Sequence, residues 1–219
     1  MVSSENPTGA DNQQGSREAS PLEASLTPQR LHAELLDAGA KGLEAYLQGA
    51  LKDGSRNRRH GTHRIGQRER AWLVLLSTAL ESLGYRSWIY REGRSRRLWI
   101  LETKARFLSL SFDPSPLAGT REGLCYARGY FDAEGGMPRS ADARLYLQYT
   151  QKDRSELEAL ARVLASRDIE CGRVHNPSRM VDPDYWRFYV RADSHGRFMR
   201  LVGSWHPRKR LQIETRMKI

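Results

Sequence analysis

The chain has 219 residues, with 36 Lys and Arg against 26 Asp and Glu, a formal charge of +10 at pH 7. That length accommodates one domain or two small ones. Its longest apolar stretches, such as residues 71–76, fall far short of the ~18 residues a bilayer span needs. No basic-then-apolar leader opens the chain, so neither a membrane segment nor a secretory signal is expected. The first 28 residues hold one arginine against four acids, net −3, which leaves +13 on the remainder. Arginine supplies most of that excess, and its guanidinium fork suits phosphates and guanine edges. Cys125 and Cys171 form neither a disulfide framework nor a zinc spacing and read as small core residues. An intracellular, cytoplasmic protein with a polyanionic partner is expected, nucleoid-associated when bound.

Residues 1–26 are polar with almost no apolar content and read as a disordered tail. Thr27-Pro28 resembles a helix start, and apolar spacing predicts a helix over residues 31–51, with Gly42 and Gly49 as weak points and a glycine stop at Gly54. A basic stretch, 56–64, suits a solvent-facing ribbon. Helical spacing returns over 69–83, followed by strands over 85–90 and 97–103 joined by a turn at 92–95. A short helix over 104–110 and a linker over 113–116 complete the first half. The second half repeats the order: a helix over 121–134 ending in Gly135-Gly136, a strand over 144–149, a helix over 155–166, strands near 169–174 and 185–190, and a helix over 194–203. A basic tail, 206–210, follows. A shift of 84 lays Gln67 on Gln151, Leu73 on Leu157 and Leu76 on Leu160, which supports an internal duplication with a first repeat over 27–116 and a second over 117–219.

The most informative segment is 127–136, Ala-Arg-Gly-Tyr-Phe-Asp-Ala-Glu-Gly-Gly. Helical spacing puts Gly129 and Ala133 on one face, so a second helix can approach there. The counterpart, 45–55, ends in Asp53. If the two helices pack side by side, Asp53 and Glu134 meet at the bottom of the interface. Two such carboxylates repel unless divalent cations lie between them, and such ions support phosphodiester hydrolysis. The helix macrodipole disfavours acids at these C-terminal positions.

The segment Gly-Tyr-Phe-Asp-Ala-Glu-Gly-Gly resembles the signature of the LAGLIDADG homing endonucleases, with its last acid as a metal ligand. Further matches are Tyr149-Thr150-Gln151-Lys152, Ile65-Gly66-Gln67-Arg68 and the C-terminal stretch from Phe198 to Leu211. The likeness runs from about residue 30 to the C-terminus. It implies an α/β fold of two pseudo-symmetric αββαββα repeats, a β-saddle with the paired helices at its centre. It also implies a monomeric, free-standing enzyme that uses Mg²⁺ (or Mn²⁺) at Asp53 and Glu134 to cut both strands of a long, roughly pseudo-palindromic double-stranded DNA target. Gln67 and Gln151 would order solvent around the metals, and Lys104 would stand near the scissile phosphate. The family also contains members that bind without cleaving, as intron RNA maturases or DNA-binding regulators. This chain departs from the pattern in two ways: Gly49 lies four residues before Asp53 where Gly129 lies five before Glu134, and Lys52 occupies the place of the small Ala133.

Strand alternation assigns the DNA face. In the second half it comprises Arg144, Tyr146 and Gln148, then Arg173, His175, Arg179, Arg187 and Tyr189. In the first half it comprises Arg56, Arg58, His60 and Arg64, then Tyr90, Arg94 and Arg96. The histidines are scattered, so a histidine metal site is not expected.

Overall fold

The two glycine-bearing helices form the centre of the molecule. In the computed structural model, which describes residues 28–93, 97–140 and 142–217, α1 (Pro28–Leu36) leads into α2 (Gly39–Ala50). The single helix expected over 31–51 is therefore two. Gly39 takes φ +70°, a conformation that interrupts the helical run and that glycine adopts without a Cβ clash. Gly49, expected as a weak point, is a contact. A Cβ on Gly49 would lie 2.2 Å from the Tyr126 carbonyl oxygen, and one on Gly129 would lie 2.0 Å from that of Tyr46. Only hydrogen at both positions lets α2 and α4 (Arg121–Glu134) approach this closely. The bounds of α4 match the expected 121–134, because Thr120 caps its start by accepting from the Gly123 amide at 3.0 Å.

A 3₁₀ turn, Leu51–Asp53, ends the α2 segment and opens a four-stranded antiparallel sheet. Its strands are β1 (Gly54–Asn57), β2 (Thr62–Gln67), β3 (Ser87–Arg91) and β4 (Trp99–Thr103), in the order β1-β2-β4-β3. The basic stretch 56–64 is thus mostly a hairpin. α3 (Arg70–Ser82) covers one face, burying Trp72, Leu73, Leu76 and Leu80 in the same core as Ile65 and Leu101.

The second half pairs β5 (Gln148–Gln151) with β6 (Trp186–Tyr189), flanked by single bridges at Gly136 to Gln148 and at Cys171 and His175 to the β6 side. These bridges occupy the places of β1 and β3, so the strand order of the first sheet recurs in shortened form. α5 (Arg154–Ala165) packs on this sheet, capped by Asp153. α6 (His195–Leu201) and α7 (Pro207–Met217) follow. One detail ties the halves together. Gln67 pairs with Trp99 and Gln151 with Trp186; the Arg70 guanidinium lies 5.5 Å over the Trp99 ring, and that of Arg154 lies 5.1 Å over Trp186.

Three expectations are corrected. Residues 104–110 form no helix, because the buried Gln48 side chain claims both backbone groups of Ser109, accepting from its N–H at 3.0 Å and donating to its carbonyl. The strand expected over 144–149 begins at Gln148; the preceding residues keep the alternation, with Leu147 buried and Tyr146 exposed, and the pairing fades beyond Leu147, whose carbonyl accepts from the Val190 amide at 2.9 Å. The basic tail 206–210 is the start of α7, with His206 stacked on Trp72 at 5.3 Å. The expected N-terminal tail, the Thr27 helix start, Arg94 and Arg96 lie outside the described residues.

Candidate functional site

The ends of α2 and α4 bring Asp53 and Glu134 together. A 3₁₀ turn rises about 2.0 Å per residue against 1.5 Å in an α-helix, so the first segment covers its last stretch in fewer residues. That accounts for the four-against-five spacing from the paired glycines. Lys52, which would crowd the interface, reaches away to form a nearly buried ion pair with Glu156 of α5. Burial raises the Asp53 pKa to about 6, opposed by a hydrogen bond that its Oδ2 accepts from Gln67 Nε2. Burial, reinforced by the charge on Asp53, raises Glu134 to about 7. Each acid is half-buried at the base of the helix pair.

Behind them stands Lys209 of α7, only 7% exposed. Its Nζ donates to the carbonyls of Phe131, Asp132 and Gly135, at 2.5, 3.0 and 2.7 Å, supplementing the Gly135 amide on Phe131 and serving carbonyls that the end of α4 leaves open. Burial lowers its pKa to about 8. Asp132, two residues before Glu134 and fully buried, accepts from Tyr46 at 2.7 Å, from the amides of Trp205 and His206 at 2.9 and 3.1 Å, and from Ser204. Trp72 donates to the Tyr46 hydroxyl at 2.8 Å and extends this buried network into α3. Sequence reasoning missed Lys209 and Asp132 as anchors; the only signal was their place inside the matched segments.

The other proposed catalytic residues separate. Gln67 contacts Asp53, whereas the Gln151 side chain accepts from the Lys152 amide at 2.8 Å. Lys104 follows Thr103, which pairs with His63, while Gln67 pairs with Trp99. Four residues of strand, about 13 Å, therefore stand between Lys104 and the acid pair. Lys104 lines a basic cavity with Arg56, His63 and Arg106. The cations adjoining the glutamines are instead Arg68 and Lys152, both exposed.

Cross-strand pairing sorts the expected interface. Arg64 pairs with Glu102, and Glu102 with Trp88, so these three share the face away from α3. Tyr90 joins them by alternation and donates to Glu102 at 2.8 Å. Arg56 pairs with His63 and so falls on the opposite face; Arg58 and His60 stand exposed in the hairpin turn. In the second half Gln148 pairs with Tyr189 and Thr150 with Arg187. Tyr146 and His175 rings lie 5.9 and 6.3 Å from Tyr189, and the Arg187 guanidinium 5.1 Å over it. Those expected residues form one aromatic and cationic cluster. Arg173 sits in a bulge, since Cys171 to His175 spans four steps against three from Val190 to Arg187. Arg144 and Arg179 are exposed, in the stretches that precede β5 and β6 respectively.

The arrangement of helices and sheets is shared with solved structures. I-DmoI in complex with DNA and Mn matches with a TM-score of 0.57 at 16% identity, over 75% of this chain and 98% of that one. The chain has the LAGLIDADG fold. The N-terminal LAGLIDADG domain of DUF199/WhiA matches with a TM-score of 0.59 at 16% identity, over 80% of this chain and 91% of that one. Full-length DUF199/WhiA from Thermatoga maritima matches with 0.58 at 16% identity, over 87% of this chain and 66% of that one. No protein-family model and no curated protein sequence matches the chain. Within the LAGLIDADG fold, α2 and α4 are the central pair, and no group of three or more His, Cys, Asp or Glu gathers for a metal among the described residues. No helix among them is long and apolar enough to cross a membrane.

Proposed function

We propose that the protein is a divalent-metal-dependent, site-specific DNA endonuclease with Asp53 and Glu134 as its acidic pair. The observation that carries this reading is the pair of half-buried carboxylates at the ends of α2 and α4, where burial, reinforced by the charge on Asp53, raises Glu134 to about 7. Hard oxygen donors held in that way fit a divalent cation, and the similar I-DmoI was solved with DNA and Mn, which supports the choice. A cation held by Asp53 and Glu134 would supply Lewis-acid chemistry for phosphodiester hydrolysis. Gln67 orients the Asp53 carboxylate. Lys209 and the Asp132 network fix the end of α4, and so the position of Glu134. Arg68 and Lys152, beside the two glutamines, are placed to neutralise phosphate charge. The clusters around Arg64 and Arg187 would hold the duplex along the two sheets, one half-site each, consistent with a monomer and with a target only roughly palindromic.

The test is cleavage of a randomised duplex library in Mg²⁺ by wild type, Asp53→Asn and Glu134→Gln. One enriched site cut by wild type and by neither variant is the expected result. A second reading, a non-cleaving nucleic-acid binder such as an intron maturase or a regulator, draws on Lys209, whose buried charge acts on both acids in place of part of a cation's field. Selected binding without cleavage in either Mg²⁺ or Mn²⁺ would decide for it.

A further inference from the structure

The first sheet carries an acid in the middle of the face where a DNA groove would be basic throughout. Glu102 stands on the central strand β4, opposite Arg64 of β2 and Trp88 of β3. Its Oε1 accepts from Asn57 Nδ2 at 3.1 Å and from the Thr62 hydroxyl, and its Oε2 accepts from the Tyr90 hydroxyl at 2.8 Å. These donors, Thr62 first, hold its pKa below the ordinary carboxylate value, so it is ionised at neutral pH. They also fix its direction. A carboxylate has about four acceptor sites, and three are taken, leaving one on Oε2. Arg64 does not close it, because its Nη2 donates to Glu92 at 2.9 Å and to the Tyr90 oxygen at 3.3 Å.

An ionised, pre-oriented acceptor cannot bind phosphate, and against a duplex it is repelled unless a donor meets it. The major groove admits a two-stranded β-ribbon such as β2–β4, and its base-edge donors are cytosine N4 and adenine N6. Adenine sets its N7 acceptor beside N6, which a carboxylate opposes; cytosine has no neighbouring acceptor on its pyrimidine edge. We infer that Glu102 is a specificity-determining residue that accepts from the N4 amino group of a cytosine in the half-site under the first sheet. β5 and β6 contain no acid, so the preference belongs to one half-site. The inference rests on the DNA-binding part of the proposed function.

Duplex sites are selected by binding from a randomised library in Ca²⁺, using the full chain as wild type, Glu102→Gln and Glu102→Asp, each checked for folding by its thermal melt. Wild type is expected to prefer cytosine roughly tenfold at one position of one half-site. Glu102→Gln exchanges that cytosine for adenine, because an amide pairs with N6 and N7, and leaves the rest of the site unchanged. Glu102→Asp keeps the charge but withdraws it, and loses the preference. Identical selected sites for wild type and both variants would overturn the inference while leaving sequence-specific binding intact. If wild type enriches no sequence, the DNA-binding reading fails with it.

Discussion

Among single residues, this protein places ionisable groups where burial disfavours their charge. His206 is 3% exposed, and burial, aided by Lys209 and Arg208, lowers its pKa to about 3. Asp132 accepts from its backbone amide, and its ring lies on Trp72. A histidine whose folded pKa lies below the unfolded value near 6.5 holds fewer protons in the native state. Its contribution to stability is therefore complete above about pH 6.5 and is lost as pH falls towards 3. Relative to wild type, His206→Gln is therefore expected to gain melting temperature as pH falls from 6.5 to 4, measured by circular dichroism at fixed ionic strength. Asp53 and Glu134 slope the other way. Their folded pKa values are raised, so the stability they contribute is complete below about pH 4 and lost as pH rises through about 6 and 7. At pH 8 Asp53→Asn should melt roughly 3 °C higher than wild type, with the gain shrinking towards pH 4. Millimolar Mg²⁺ should raise the wild-type melting temperature at pH 8 but not that of the Asp53→Asn/Glu134→Gln double variant. No Mg²⁺-induced shift in wild type would count against a metal at this pair.

At the scale of elements, the decisive contact is helix against helix. Gly129→Ala places a methyl 2.0 Å from the Tyr46 carbonyl and 2.9 Å from the Ala50 nitrogen, both backbone atoms, so the two helices must separate. A loss of about 3 kcal/mol is expected in urea unfolding. Gly61→Ala is the contrast: φ is +63°, nothing stands within 4 Å, and only about 1 kcal/mol is expected. Equal losses would mean that α2 and α4 do not depend on close approach. The anchoring of α7 makes a second prediction. Lys209→Met keeps the stem but leaves the carbonyls of Asp132 and Gly135 without this donor, and that of Phe131 with only the Gly135 amide, which should cost about 2 kcal/mol in the same measurement.

Across the whole molecule, the two sheets offer unlike surfaces for one partner. The first face is tied into a network around Glu102, with Arg64 committed to Glu92; the second is an open cluster of Tyr146, His175, Arg187 and Tyr189. With a formal charge of +10, DNA affinity should depend steeply on salt. Six phosphate contacts would give a slope near −5 in log K against log salt. If Arg187 meets phosphate and Glu102 a base edge, as proposed, Arg187→Ala should make that slope shallower by about one, whereas Glu102→Gln should leave it unchanged. A flat salt dependence would remove the polyanion from the account.

Much of this was legible in the order of residues. Helix α4 begins and ends where its cap and following glycines say, α3 and α5 follow their apolar spacing, and the meeting of Asp53 with Glu134 follows from matching two glycine-bearing helices. These features are written locally, in backbone preference and side-chain period over a few residues. Other features needed partners distant in sequence. Ser109 is held out of a helix by Gln48, 61 residues earlier. Lys209, in a run that reads as a solvated basic tail, is buried because carbonyls 74 to 78 residues away receive its charge. Lys104 stands clear of the acids and Arg56 turns to the other face only because strand register places them there. A local pattern states what a segment can form. Which charges are buried, and against what, depends on groups that chain proximity does not bring together, and so only the assembled fold decides it.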